Sequence, residues 1–186
     1  MSRRFVTPSP EALDSARDGL LPDVFAEDLD VLFVGINPSL YSAAVGHHFA
    51  RPGNRFWPAL HRAGMTSRLL HASEDRLLPE FGGGLTNLAA RPTAKASELR
   101  ADELREGGAI LVSVVERYRP RAVAVVGVTA YRQAFSDKKA AIGPQPNTLA
   151  GAALWVLPNP SGLNAHYQLP ALADLYGQML ADVRAG

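Results

Sequence analysis

Four short apolar runs constrain this chain most. They are Val31-Leu32-Phe33-Val34-Gly35-Ile36, a weaker Gly84-Leu85-Thr86-Asn87-Leu88, Ala122-Val123-Ala124-Val125-Val126-Gly127 and Ala153-Leu154-Trp155-Val156-Leu157. None alternates as a strand with one wet face does. A strand that is apolar throughout must be covered on both faces, which is the habit of parallel sheets. Helical periodicity fills the intervals, over Arg55–Ala63, Ala101–Tyr118, Thr129–Phe135 and Leu169–Val183. In the second of these, Leu104, Ile110, Leu111, Val114 and Val115 oppose a charged face. The alternation predicts an α/β fold: a three-layer α/β/α sandwich on a short, mainly parallel central sheet of about four strands, with right-handed crossovers.

A chain of 186 residues suits one such domain. Residues 26–186 are expected to form it, and residues 1–25 to form a loosely attached, partly helical arm. No apolar stretch reaches membrane-spanning length and no charged-then-apolar leader opens the chain, so a cytoplasmic protein is expected. The chain has no cysteine, which excludes disulfides, iron–sulfur clusters and thiol chemistry. His47 and His48 are adjacent and point apart in an extended chain, with no spaced carboxylate near, so no metal site is expected.

The net charge is only +1, but the charges are unevenly placed. No Asp or Glu occurs from Val31 to Ser73 or from Lys138 to Ala173, while Arg51, Arg55, Lys138 and Lys139 fall in these windows. Such asymmetry suits a face turned toward a polyanion, and chance clustering would produce it as well.

In open α/β sheets ligands bind beyond the carboxyl ends of the strands. The first run ends in Asn37-Pro38-Ser39, and Pro38 pushes Asn37 out of helical geometry, so a fixed turn carries an amide at its tip. Asn-Pro is also an ordinary turn former. Downstream, Gly46-His47-His48-Phe49-Ala50-Arg51-Pro52-Gly53-Asn54-Arg55-Phe56-Trp57 is a stiff loop able to set the aromatic Phe49 opposite that amide. A planar, unstacked nucleobase requires such a pocket. The last run leads into Pro158-Asn159-Pro160-Ser161-Gly162-Leu163-Asn164. Two prolines stiffen a loop whose large apolar side chain, Leu163, either enters a base stack as a wedge or folds back as a staple on the C-terminal helix.

These segments resemble the two active-site motifs of the mismatch-specific uracil-DNA glycosylases, the branch of the uracil-DNA glycosylase superfamily that includes thymine-DNA glycosylase. The similarity runs from about Val31 to the C-terminal helix, through Asn54-Arg55-Phe56-Trp57, Arg91-Pro92-Thr93 and Trp155 to Leu163. It implies a monofunctional glycosylase that needs no cofactor and excises uracil from double-stranded DNA, with G·U and G·T mismatches as candidate substrates. Thymine and modified cytosines are further candidates, and the protein would act as a monomer in base excision repair.

By that resemblance Asn37 orients the attacking water. Phe49 stacks on the extruded base, and the Ile36 and Phe49 backbones read its edge. Ser39, Ser42 and Asn159 complete the pocket, and Asn159 to Asn164, through Pro160, Ser161, Gly162 and Leu163, forms the loop that enters the duplex. Arg51, Arg55, Lys138 and Lys139 are the candidate phosphate contacts. Ser39 and Tyr41 replace smaller residues and are expected to narrow the pocket. Ala165 replaces an Arg of the insertion loop, and Ala90 stands where relatives often carry Asp. Two rivals stay open: a base-flipping reader of damage that does not cut, and a flavodoxin-like nucleotide binder. The second should show a Gly-rich phosphate turn where this chain reads Asn-Pro-Ser.

Overall fold

The computed structural model describes residues 5–186. One sheet lies at its centre, built from β1 (Val31–Gly35), β2 (Gly83–Asn87), β3 (Ala122–Val126), β4 (Gly143–Leu149) and β5 (Ala152–Leu157). The spatial order is β2-β1-β3-β5-β4. The first four are mutually parallel, and β4 runs antiparallel to β5.

The helices are α1 (Pro10–Ser15), α2 (Leu40–Val45), α3 (Phe56–Arg62), α4 (Ala101–Tyr118), α5 (Val128–Ala134) and α6 (Leu169–Ala185). Successive strand residues point to opposite faces, so β1 feeds two cores. Val31 and Phe33 join Phe56, Leu60, Tyr176 and Met179 beneath α3 and α6. Leu32 and Val34 join Leu111, Val115 and Tyr131 beneath α4 and α5. The inner face of α4 runs Leu104, Gly107, Gly108, Leu111 and Val115. Ile110, expected on that face, is exposed instead.

Two expectations need correction. The sheet has five strands rather than about four, because β4 reads Gly-Pro-Gln-Pro-Asn-Thr-Leu. Prolines and glycine mark a turn in a sequence, yet they are tolerated in a strand at a sheet edge. The N-terminal arm is also not loosely attached. Val24 exchanges two 2.8 Å backbone hydrogen bonds with Leu85 of β2, and Ala16 and Val24 are buried. Phe5 stacks on His47 at 5.5 Å. No described helix is long and apolar enough to cross a membrane.

Candidate active site

A cleft of about 150 Å³ opens beyond the carboxyl ends of β1, β2, β3 and β5, and Ile36, Asn37, Ser39, Ser42, Phe49 and Asn159 all line it. Parallel strands deliver their loops to one edge, which is why residues more than a hundred positions apart meet there. Leu21 of the N-terminal arm forms part of the wall, and Arg51 and Ser161 border it. No Asp or Glu lines this cleft among the described residues.

The amide of Asn37 is fixed by two groups. Its Nδ2 donates 2.8 Å bonds to the Arg91 carbonyl and to Thr93 Oγ1. Thr93, itself buried, donates its hydroxyl proton to Lys95 O at 2.8 Å, so toward Asn37 it can only accept. Both amide protons are thus engaged, and the orientation of the carboxamide follows from the network. What remains is Oδ1, an acceptor suited to a water proton. The segment providing these partners is held to the β1 turn by Ala89 N–H to Ile36 O at 2.9 Å and Thr93 N–H to Pro38 O at 3.2 Å.

Phe49 adopts a left-handed conformation, φ 51°, which a side chain of its size tolerates only when its surroundings hold it there. They do. The His48 N–H donates to Asp75 Oδ2 at 2.9 Å, the Ala50 N–H to Ser42 Oγ at 3.1 Å, and Trp57 Nε1 to His48 O at 3.2 Å. The ring stacks on Phe56 with centroids 4.0 Å apart and 19° between planes, and Phe56 contacts Phe33 and Tyr176 below. Phe49 is the top of an aromatic column rooted in the core.

The Pro158–Asn164 loop is closed by its own side chains. Asn159 Oδ1 accepts from Ser161 N at 3.0 Å, and Asn164 Nδ2 donates to Asn159 O at 3.0 Å. Leu163 is 78% exposed, so it does not fold back on α6. The family model of the uracil DNA glycosylase superfamily matches residues 22–184.

The chain belongs to that superfamily. Members typically hydrolyse N-glycosidic bonds and act on DNA. Asn87 is a lining residue that escaped the sequence reading. Asn87 ends β2 and lies against Gly35, where a Cβ would collide with its Oδ1. A glycine opposite a polar strand end is the signal that marks it, and its carboxamide offers both a donor and an acceptor to the cleft.

Other residues sit differently than expected. Arg55 is not a free cation: its guanidinium donates to the carbonyls of Ser161, Asn164 and Tyr167 at 3.0–3.2 Å and of Gly162 at 3.3 Å. Each charge-assisted bond is worth about 1.5 kcal/mol or more before exposure is discounted, against about 1 kcal/mol at most for an exposed ion pair, so exchanging them for a phosphate is unfavourable. Lys138 and Lys139 are exposed but away from the cleft, Lys138 beside Ala101 and Arg105 at the start of α4. Tyr41 does not narrow the pocket; it meets Phe5 edge-on at 6.5 Å. Ser39 lines the cleft, but its Oγ caps α2 by accepting from Ser42 N at 3.0 Å. Ala90 is exposed beside the cleft in an adjoining groove with Asp23 and Asn87. The two neighbouring histidines part company as expected: His47 Nδ1 bonds Asp75 at 2.9 Å, while buried His48 Nε2 donates to Pro22 O at 3.0 Å.

Proposed function

We propose that this chain is a monofunctional glycosylase of the mismatch-specific branch that extrudes uracil from duplex DNA and hydrolyses its glycosidic bond. The observation carrying this reading is the Asn37 carboxamide. Its nitrogen is fully committed, its oxygen is left to accept, and it stands in one cleft with the Phe49 platform. The base stacks on Phe49, and the amides of Asn87 and Asn159 address its polar edge. A water donating to Asn37 Oδ1 attacks the anomeric carbon as the bond to the base nitrogen breaks. The bonding pair leaves with the base, and the water's surplus proton passes to the departing anion or to bulk solvent. The sugar is oxocarbenium-like at the barrier.

Asn37 cannot take up a proton, and no carboxylate lines the cleft to do so. Rate enhancement therefore rests on positioning and on donors aimed at the leaving base. Such a site favours bases that are stable as anions, and uracil meets that condition better than cytosine. Leu163 fills the space that the extruded nucleotide leaves, and exposed Arg51 at the rim contacts a flanking phosphate. The test is single-turnover strand scission by alkali on G·U, A·U, G·T and single-stranded uracil substrates. Cleavage fastest on uracil supports the reading; binding without cleavage would assign a base-flipping reader instead.

A further inference from the structure

An exposed leucine on a loop is ordinarily mobile, yet the loop around Leu163 is bound from within and from below. Within it, Ser161 N–H reaches Asn159 Oδ1 at 3.0 Å, Leu163 N–H reaches Ser161 Oγ at 3.2 Å, and Asn164 N–H reaches Ser161 O at 3.0 Å. Below it lies Arg55. Nη1 donates to Ser161 O at 3.2 Å, Asn164 O at 3.0 Å and Tyr167 O at 3.1 Å, and Nη2 to Gly162 O at 3.3 Å. The Arg55 backbone N–H donates to Pro160 O at 2.9 Å. A Cβ on Gly162 would lie 2.6 Å from the Gly53 carbonyl oxygen, so the two loops pack backbone to backbone.

We infer that Arg55 is a positioning residue that pre-sets this loop, holding Leu163 outward before DNA is met. The inference rests on the proposed role of Leu163 as the side chain that enters the stack. Four carbonyl oxygens converging on one point repel each other, and a cation placed among them offsets that repulsion and adds to the loop's own hydrogen bonds. The planar guanidinium reaches all four from a fixed fork, which the point charge of a lysine does not. A loop ordered in advance spares the complex the entropy of ordering it on contact. The Nη1 donors are engaged by carbonyls of the protein itself, so the guanidinium is held against the loop rather than extended to bond a phosphate.

The test compares single-turnover cleavage of uracil in a duplex and in a single strand for the wild type, Arg55→Lys, Leu163→Ala and the double variant. Both rates come from one preparation, so their ratio is insensitive to the folded fraction. Arg55→Lys is expected to lower the duplex-to-single-strand ratio about tenfold, and the double variant to fall no further than Leu163→Ala alone. Arg55→Gln is expected to leave the slope of log affinity against log salt unchanged. A slope shallower by about one would assign Arg55 to a phosphate and overturn the inference. If Leu163→Ala lowers the ratio and Arg55→Lys does not, the positioning role alone is wrong. If Leu163→Ala slows both substrates equally, the wedge beneath it is wrong. A wild type that cleaves neither substrate removes the glycosylase reading itself.

Discussion

Asn37 Nδ2 lies 2.8 Å from Thr93 Oγ1, and the hydroxyl proton of Thr93 is directed away to Lys95 O. This pair determines which end of the amide the cleft sees. Asn37→Ala should lower single-turnover cleavage by one to three orders of magnitude, corresponding to about 1.4–4 kcal/mol of barrier. Thr93→Val removes one of two anchors and should cost about tenfold, while Thr93→Ser restores the hydroxyl and most of the rate. DNA affinity should hardly move in all three. A Thr93→Val enzyme as fast as wild type would show that Arg91 O fixes the amide alone.

Ala90 lies between Ala89, whose N–H bonds Ile36 O, and Arg91, whose carbonyl holds Asn37. A carboxylate there would stand in the groove adjoining a cleft whose own lining carries none among the described residues. Ala90→Asp should raise the chemical rate by about tenfold or more, with a new acidic limb in the pH–rate profile. Single-turnover rates across pH decide it: an unchanged rate and profile assign position 90 to structure.

Arg51 borders both the cleft and the groove beside Leu163, and it is exposed. Arg51→Gln should weaken duplex binding and make the salt slope shallower by about one, as for loss of a single phosphate contact. Titrations at several salt concentrations measure this directly, and an unaltered slope would move the phosphate path elsewhere.

Burial holds the His48 ring below its ordinary value of 6.5, against the raising influence of Pro22 O, Asp75 and Asp23; Arg76 also lowers it. On acidification the unfolded chain therefore takes up this proton first. Stability is complete above the unfolded value and is lost as pH falls through it toward the folded value. Melting temperature should decline between about pH 7.5 and pH 5, and His48→Gln should flatten that decline. A decline of equal size in the variant would place its origin in other groups.

Tyr176 is fully buried, and its hydroxyl has no hydrogen-bond partner among the described residues. Burial drives its ionisation far above the usual tyrosine range. Tyr176→Phe keeps the ring against Phe33 and removes the orphaned oxygen, so it should stabilise the fold by about 1 kcal/mol in urea unfolding. A loss of stability would mean that the oxygen contributes packing that the ring alone does not.

Much of this molecule was legible from periodicity and spacing. The four parallel strands stand where the apolar runs place them, because burial on both faces leaves a compositional mark. Asn37, Phe49 and Asn159 converge because their loops all leave the carboxyl edge of the sheet. Other features leave no such mark. β4 is written in turn residues, and its place depends on lying at an edge. Arg55 reads as a free cation, since four backbone carbonyls from residues 161–167 have no signature in sequence. Asn87 is one polar residue at a strand end, and only the absence of a side chain at Gly35, far earlier in the sequence, makes room for it. The arm carries no pattern that foretells Leu21 in the cleft wall.

The two prolines of β4 have a consequence beyond this domain. Pro144 and Pro146 remove two of the seven N–H donors of the outermost strand, and its register breaks between Pro144 and Thr148. On the opposite flank, Val24 already occupies the free side of β2. A strand from a second molecule thus finds an irregular, donor-poor border on one side and an occupied one on the other. The sheet resists growth by edge-to-edge addition, a safeguard against aggregation and strand swapping.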